Sequence, residues 1–127
     1  MKSRVVLVGL MVLLTTGCGE RASVQELTGT YEKKLETGRE HIELHSDMTF
    51  LEVFVTPEKK FTAQGKWTLA NIFLGPTKVT LMGDYATDEL PPGLPHVSGQ
   101  RILIVHKERG RLRLAFNEAA DWFYDRI

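Results

Sequence analysis

The chain has 127 residues, of which 16 are basic and 16 are acidic, so its formal charge is zero. A chain of this length folds as one domain of ordinary size, and it lacks the positive excess that binding to a phosphate backbone requires. Composition therefore argues against a second domain and against a nucleic-acid partner.

The first residues have the features of a secretory signal. Lys2 and Arg4 precede an apolar run of 10 residues, "VVLVGLMVLL" at 5–14. A helix that spans the bilayer core of ~30 Å needs about 20 residues, so this run is too short for a transmembrane anchor and is typical of a cleaved signal. We predict a signal peptide over residues 1–17.

The stretch "LTTGC" at 14–18 follows the apolar run and resembles the lipobox of bacterial lipoproteins. The resemblance implies cleavage before Cys18, diacylglycerol on its thiol and acylation of its amine. Lipidation also accounts for a single cysteine that would otherwise be a free thiol in an oxidising compartment. Two or three acyl chains anchor a protein durably, so the membrane is the partner expected through Cys18.

The expected location of the protein in the cell envelope follows from the residues around the cleavage site. Cleavage removes Lys2 and Arg4, so the acidic residues of the mature chain outnumber the basic ones by two, and such a domain has no electrostatic reason to lie on anionic lipid. The residue after Cys18 is Gly19, whereas the signal that retains lipoproteins in the inner membrane of enteric bacteria has Asp at that position. We expect an outer-membrane lipoprotein that faces the periplasm, with a lipidated N-terminus and polar tether at 18–26 and one domain at 27–127.

The mature chain alternates apolar and polar residues, as in "HIELH" at 41–45, where Ile42 and Leu44 share one face. The alternation and the intervening turn residues predict strands at about 28–37, 40–46, 49–56, 61–70, 77–84, 100–107, 111–117 and 121–127. Eight short strands with mostly tight turns predict an all-β antiparallel meander that forms a small barrel or a strongly bent sheet. The stretch "NEAAD" at 117–121 predicts one helical turn before the last strand.

Two strands open with glycine and carry a large aromatic residue two positions later, in "TGTYE" at 28–32 and "QGKWT" at 64–68. Glycine at such a position lets another backbone or ring approach closely. Together with "IELHSDMTF" and "KVTLM", this order resembles the small bacterial lipocalin-like domains. The resemblance implies a barrel that can enclose a ligand, whose identity depends on the interior side chains.

The aromatic residues offer candidates for a ligand pocket. Tyr31, Phe54 and Trp67 would line an interior cavity for a small apolar ligand, and they would equally fill a packed barrel core. Residues 85–99 hold three prolines and two glycines, which exclude a strand interior. We expect a long loop there, and it is the best candidate for a binding lip.

His41, Glu43 and His45 recur at every second position, so on a strand they would share one face, close enough for two imidazoles to reach one zinc ion. Ile42 and Leu44 must face the core, which makes the opposite face the wetted one. We therefore favour a solvated polar face over a metal site, and we predict no cofactor.

The serines and the single cysteine give no indication of a catalytic site. The serines lack a Gly-x-Ser-x-Gly elbow, and no free thiol remains once Cys18 is lipidated, so we expect no enzyme. A non-catalytic binding module is the preferred function. The alternative is an envelope interaction protein, an inhibitor or assembly accessory, that uses a strand edge or the 85–99 loop. The strand "RILIVH" at 101–106 is apolar on both faces, which supports that alternative.

Overall fold

A computed structural model describes residues 21–71, 75–85, 99–117 and 121–127. Each strand pairs antiparallel with the next, and the last pairs with the first, which closes a barrel. The predicted all-β meander and lipocalin-like barrel are confirmed. The elements are α1 (Val24–Leu27), β1 (Gly29–Leu35), β2 (Gly38–Leu44), β3 (Thr49–Val55), β4 (Lys60–Asn71), β5 (Thr77–Tyr85), β6 (Gln100–Glu108), β7 (Arg111–Asn117) and β8 (Trp122–Arg126).

The alternation along each strand separates the interior of the barrel from its surface. On β2, Ile42 and Leu44 are buried while His41 and Glu43 lie on the other face, partly exposed. The register continues this pattern around the barrel, since Ile42 pairs with Tyr31 on β1 and with Glu52 on β3. The sequence period therefore indicates which side chains point inward.

One end of the barrel, which we call the packed end, is filled by apolar side chains. Trp67 and Tyr31 are fully buried there, in one cluster with Leu27. The indole Nε1 of Trp67 donates to the carbonyl oxygen of His45 at 2.9 Å, and the Tyr31 hydroxyl donates to that of Leu27 at 2.8 Å. Both large rings thus bury their apolar surface and satisfy their polar atoms.

The N-terminal segment packs against this same end. Ser23 caps α1 with a capping box to Glu26, and the backbone N–H of Ala22 donates to Thr77 Oγ1 at 2.9 Å. Ala22 and Leu27 are buried. Residues 22–26, predicted as part of a free tether, belong instead to the folded unit, because the cap and the apolar contacts hold them on the barrel.

Strands β4 and β5 approach closely at a pair of glycines, Gly65 and Gly83, which are register partners. A Cβ added to Gly65 would collide with the carbonyl oxygen of Met82, and one added to Gly83 would collide with that of Gln64. The close approach expected of the glycine before Trp67 is therefore present, and here a neighbouring backbone makes it.

The barrel closes over a short seam between β1 and β8. Only Tyr31 with Arg126 and Glu32 with Asp125 are register partners there, and the N–H of Ile127 adds a hydrogen bond to the carbonyl of Thr30 at 3.0 Å. Most of the predicted helical turn at 117–121 lies outside the described residues. Within them, no helix is long and apolar enough to cross a bilayer.

Candidate functional site

The end of the barrel opposite the packed end carries charged side chains that point inward, and we call it the polar end. It is defined by Glu40 on β2, Glu52 and Phe54 on β3, Phe61 on β4 and Arg101 on β6. The carboxyl groups of Glu40 and Glu52 are fully buried, and the Arg101 side chain is 14% exposed. Burying charge is costly unless it is paired, so the energetic cost of this cluster depends on how its charges are paired.

Arg101 lies between the two carboxyl groups. Its Nη2 is 2.5 Å from Glu52 Oε2, and its Nη1 is 3.7 Å from Glu40 Oε1. The Tyr124 hydroxyl donates to Glu40 Oε2 at 2.9 Å, and Trp122 Nε1 donates to the Tyr124 oxygen at 3.0 Å. A polar chain thus runs from Trp122 across the interior to Glu52.

The carboxyl oxygens in this chain are not all satisfied. Glu40 Oε1 and both oxygens of Glu52 are buried without a hydrogen-bond partner among the described residues. The short contact between Arg101 and Glu52 is an ion pair. An unpaired buried acceptor costs on the order of 1–3 kcal/mol, so the cost of this cluster depends on which of the two carboxyl groups is protonated.

The protonation state follows from burial and charge. Burial first, and then the neighbouring Glu52 carboxyl group, raises the pKa of Glu40 to about 9. Burial lowers the pKa of Arg101, but the charge of the neighbouring Glu52 outweighs burial and raises that pKa overall. At neutral pH, Glu40 therefore keeps its proton, and Glu52 and Arg101 form the ion pair.

Aromatic rings surround this polar chain. Phe54 and Phe61 stand with ring centroids 6.1 Å apart, and Phe116 meets Trp122 edge to face at 6.4 Å. The Nζ of Lys33 lies 4.9 Å from the Trp122 ring centroid, a cation–π distance. The polar end thus combines buried carboxyl groups with aromatic faces.

The three predicted pocket residues do not line one pocket. Tyr31 and Trp67 lie in the packed end, whereas Phe54 lies in the polar end as the register partner of Glu40. Phe54 also pairs with Phe61 on β4. Phe61 lies six residues before Trp67, and six residues of strand span about 20 Å, so Phe54 and Trp67 are far apart along the barrel. All three side chains are fully buried, and Tyr31 and Trp67 fill the core.

The His-Glu-His pattern lies on the outside of the barrel. His41 Nε2 is 3.8 Å from Glu32 Oε1, and His45 Nδ1 is 3.1 Å from Thr49 Oγ1. In the part of the chain that the structure describes, no group of three His, Cys, Asp or Glu side chains is placed to hold a metal ion.

The alternative of a protein-binding surface has a candidate on the outer face of β5 and β6. Met82 and Ile102 are 54% and 48% exposed. Each described strand pairs on both sides, so a wholly unpaired edge strand is not found among these residues. Of the predicted 85–99 loop, residues 86–98 lie outside the described part. At its two ends, Tyr85 pairs with Ala63 on β4, and the N–H of Gly99 donates to Asp84 Oδ1 at 2.9 Å.

Sequence reasoning missed the charged residues of this site, namely Glu40, Glu52 and Arg101. A signal was present, because Glu40 falls on the same alternating face as Ile42 and Leu44, and Glu52 falls between Phe50 and Phe54. Arg101 shares its face with Leu103 and Val105 in the same way.

Comparisons of the chain with protein-family models, curated proteins and solved structures find no match.

Proposed function

We propose that the protein is a lipid-anchored binding protein that faces the periplasm and takes a small molecule at the polar end of its barrel. The observation that carries the proposal is the pair of fully buried carboxyl groups, Glu40 and Glu52, which lie on either side of Arg101 in the barrel interior. A core built only for stability would be better served by apolar side chains at these positions. The proposed site is therefore the polar end, and the aromatic core around Trp67 is its structural support.

The placement of the N-terminus supports this arrangement. Ala22 is fixed to the packed end, and Cys18 precedes it by four residues, a span of about 14 Å when extended. Lipid on Cys18 would hold the packed end towards the bilayer. The polar end, at the opposite mouth of the barrel, would then face the aqueous space.

The full-length protein, extracted from its own membrane in mild detergent, tests the proposal by native mass spectrometry. We expect the chain to start at an acylated Cys18 and to carry a small molecule in defined stoichiometry. The Cys18→Ala variant should leave the membrane fraction and keep the bound molecule. A bare polypeptide mass in both proteins would refute the binding function, and a non-acylated Cys18 would refute the anchor.

Protein binding remains a second candidate because Met82 and Ile102 expose apolar surface on adjacent strands. If this surface binds a partner protein in the envelope, a photo-crosslinker at residue 102 will capture one defined protein and a crosslinker at the outward-facing Glu43 will not. Equal capture at both positions would exclude a specific interface.

A further inference from the structure

One side of the packed end carries a group of basic side chains that we call the basic rim. It consists of Lys107 on β6, Arg109 and Arg111 at the β6–β7 turn, and Arg126 at the end of β8. Lys107 Nζ lies 2.8 Å from Glu26 Oε2, and Arg126 Nη2 donates to the carbonyl oxygen of Thr28 at 2.8 Å. Because Glu26 belongs to α1 and Thr28 follows it, these contacts place the basic rim beside the N-terminal segment.

The acidic side chains around the basic rim are already paired with basic ones. Glu26 forms its ion pair with Lys107. Glu108 and Asp125 both contact Arg113, at 3.3 and 2.6 Å. These three carboxylates therefore have counter-charges of their own.

The other guanidinium groups of the basic rim keep their charge unneutralised. Arg109 and Arg111 are exposed and form no ion pair with another described residue. Arg126 donates to backbone carbonyl oxygens, which carry no net charge. Asp47 lies in the β2–β3 turn, which the strand order places on the opposite side of the barrel. The basic rim is thus a local positive surface on a domain whose total charge is slightly acidic.

The shape of this surface favours a broad anionic partner. The side chains of the β6–β7 turn and of β8 surround an open depression rather than an enclosed pocket, and Arg109, Arg111 and Arg126 are among its lining residues. Guanidinium groups bind phosphate oxygens with two N–H groups at once. An open surface with several such groups matches an array of phosphates in a plane, as on a bilayer of anionic phospholipid.

The N-terminal segment brings this surface close to a bilayer. Ala22 is held on the packed end by its hydrogen bond to Thr77, and Cys18 precedes Ala22 by four residues, a span of about 14 Å at most. Acyl chains on Cys18 would therefore keep the basic rim near the phospholipid headgroups. The total charge gives no reason for contact with anionic lipid, but the position of the unpaired arginines does, because electrostatic attraction acts over about 10 Å.

We propose that the basic rim docks on the headgroups of anionic phospholipids, with Arg109 and Arg111 at the β6–β7 turn as the main phosphate contacts. This inference rests on the proposed lipid anchor at Cys18. The docked rim fixes the orientation of the barrel on the membrane, whereas acyl chains on a short tether only limit its distance from the membrane.

Amide NMR of the full-length acylated protein in lipid nanodiscs tests the proposal. The discs contain phosphatidylcholine alone, or phosphatidylcholine in which about a third of the lipid is phosphatidylglycerol, and both kinds carry a trace of lipid with a gadolinium chelate on its headgroup. Relaxation enhancement at Arg109, Gly110 and Arg111 should be much stronger in the anionic discs. High salt should reduce it towards the value in neutral discs, because salt screens exposed charges.

The double variant Arg109→Gln/Arg111→Gln should lower the docked population in anionic discs about tenfold, since each basic residue near an anionic surface contributes to binding. Lys34→Gln/Lys60→Gln is the matched control, because it removes the same charge from two exposed positions at the polar end. It should behave as the parent does. Thermal melts of both variants verify that they fold.

Equal enhancement at the β6–β7 turn in the two kinds of disc would overturn the proposal and leave an acidic protein segment as the partner to seek. Equal losses in the two double variants would also overturn it, since total charge rather than the basic rim would then set the contact. If the protein stays in the discs through an acylated Cys18 and the turn shows no enhancement, only the docking surface fails. If Cys18 is unmodified and the protein leaves the discs, the anchor fails and the docking proposal fails with it.

Discussion

Tyr124 donates its hydroxyl proton to Glu40 Oε2 at 2.9 Å across the barrel interior, although β8 and β2 are not neighbouring strands. The contact bridges over β1, whose short pairing with β8 closes the barrel. It therefore links the closing strand to the buried carboxyl cluster and contributes both to closure and to the order of the site.

Replacing Tyr124 with Phe should lower the free energy of unfolding by about 1–2 kcal/mol, since Glu40 Oε2 and Trp122 Nε1 both lose a buried partner. Urea denaturation followed by tryptophan fluorescence measures the change. The apolar ring is retained, so the packing contribution is nearly constant. A variant as stable as the parent would mean that water or another group satisfies Glu40.

Stability should fall as pH rises from neutral to 9, and Glu40→Gln should suppress this fall. The folded-state pKa of Glu40, about 9, lies above its ordinary value. Between these two pKa values the folded state holds a proton on Glu40 that the unfolded state has lost. The stabilisation that this proton contributes is complete below the ordinary pKa and is lost as pH rises through 9. The titratable groups that act on Glu40 are Glu52, Arg101 and Tyr124, and its register partner on β1 is Lys33.

At pH 8.5, Glu40→Gln should be more stable than the parent by ~1–3 kcal/mol, because the amide carries no charge to bury. Thermal melts between pH 5.5 and 9 measure the effect, with Glu43→Gln as the control on the outer face of the same strand. Parallel pH profiles for the parent and Glu40→Gln would show that Glu40 is ionised in the folded protein.

Gly65→Ala should destabilise the barrel by ~2–4 kcal/mol, because the new Cβ meets the backbone of β5 at Met82 and cannot be relieved by a side-chain rotation. Gln64→Ala alters the adjacent, exposed position and should change stability by less than about 0.5 kcal/mol. Denaturant titration of both variants makes the comparison. Equal stability of Gly65→Ala and the parent would mean that β4 and β5 separate more easily than their register suggests.

The turn between β6 and β7 offers a stabilising substitution. Arg109 and Gly110 form a two-residue hairpin loop, and both have positive φ, 53° and 78°. This is the geometry of a type I′ turn, in which Asn is favoured at the first position. Arg109→Asn should raise stability by ~0.5–1 kcal/mol, and Arg109→Val, which disfavours positive φ, should lower it. Thermal melts of the two variants check the opposite signs.

The number and order of strands could be predicted from the sequence because alternation and turn residues are local signals. The antiparallel meander also follows, since tight turns force neighbours in the chain to pair, whereas closure depends on the distant pairing of β1 with β8. The path of residues 22–26 could not be predicted, because their polar composition gives no sign that Ala22 and Leu27 would pack on the barrel end. Their place depends on contacts with distant residues such as Thr77.

The candidate site was only partly predictable. Alternation places Glu40 and Glu52 on inward-facing positions, but charged residues are ordinarily assigned to the surface, and the ion pair with Arg101 depends on three strands coming together. The aromatic residues predicted a pocket but did not indicate where along the barrel axis it lies. Phe54 and Trp67 are on adjacent strands, and only the register shows that they occupy opposite ends.

The seam between β1 and β8 constrains the order in which the strands pair during folding. All other strand pairs join neighbours in the chain and can form as soon as each hairpin is available. The partner of Thr28 at the seam, Arg126, is 98 residues further along. A chain made from its N-terminus must therefore hold β1 with one side unpaired until its last residues emerge, and the buried carboxyl cluster cannot be sealed from water before that moment.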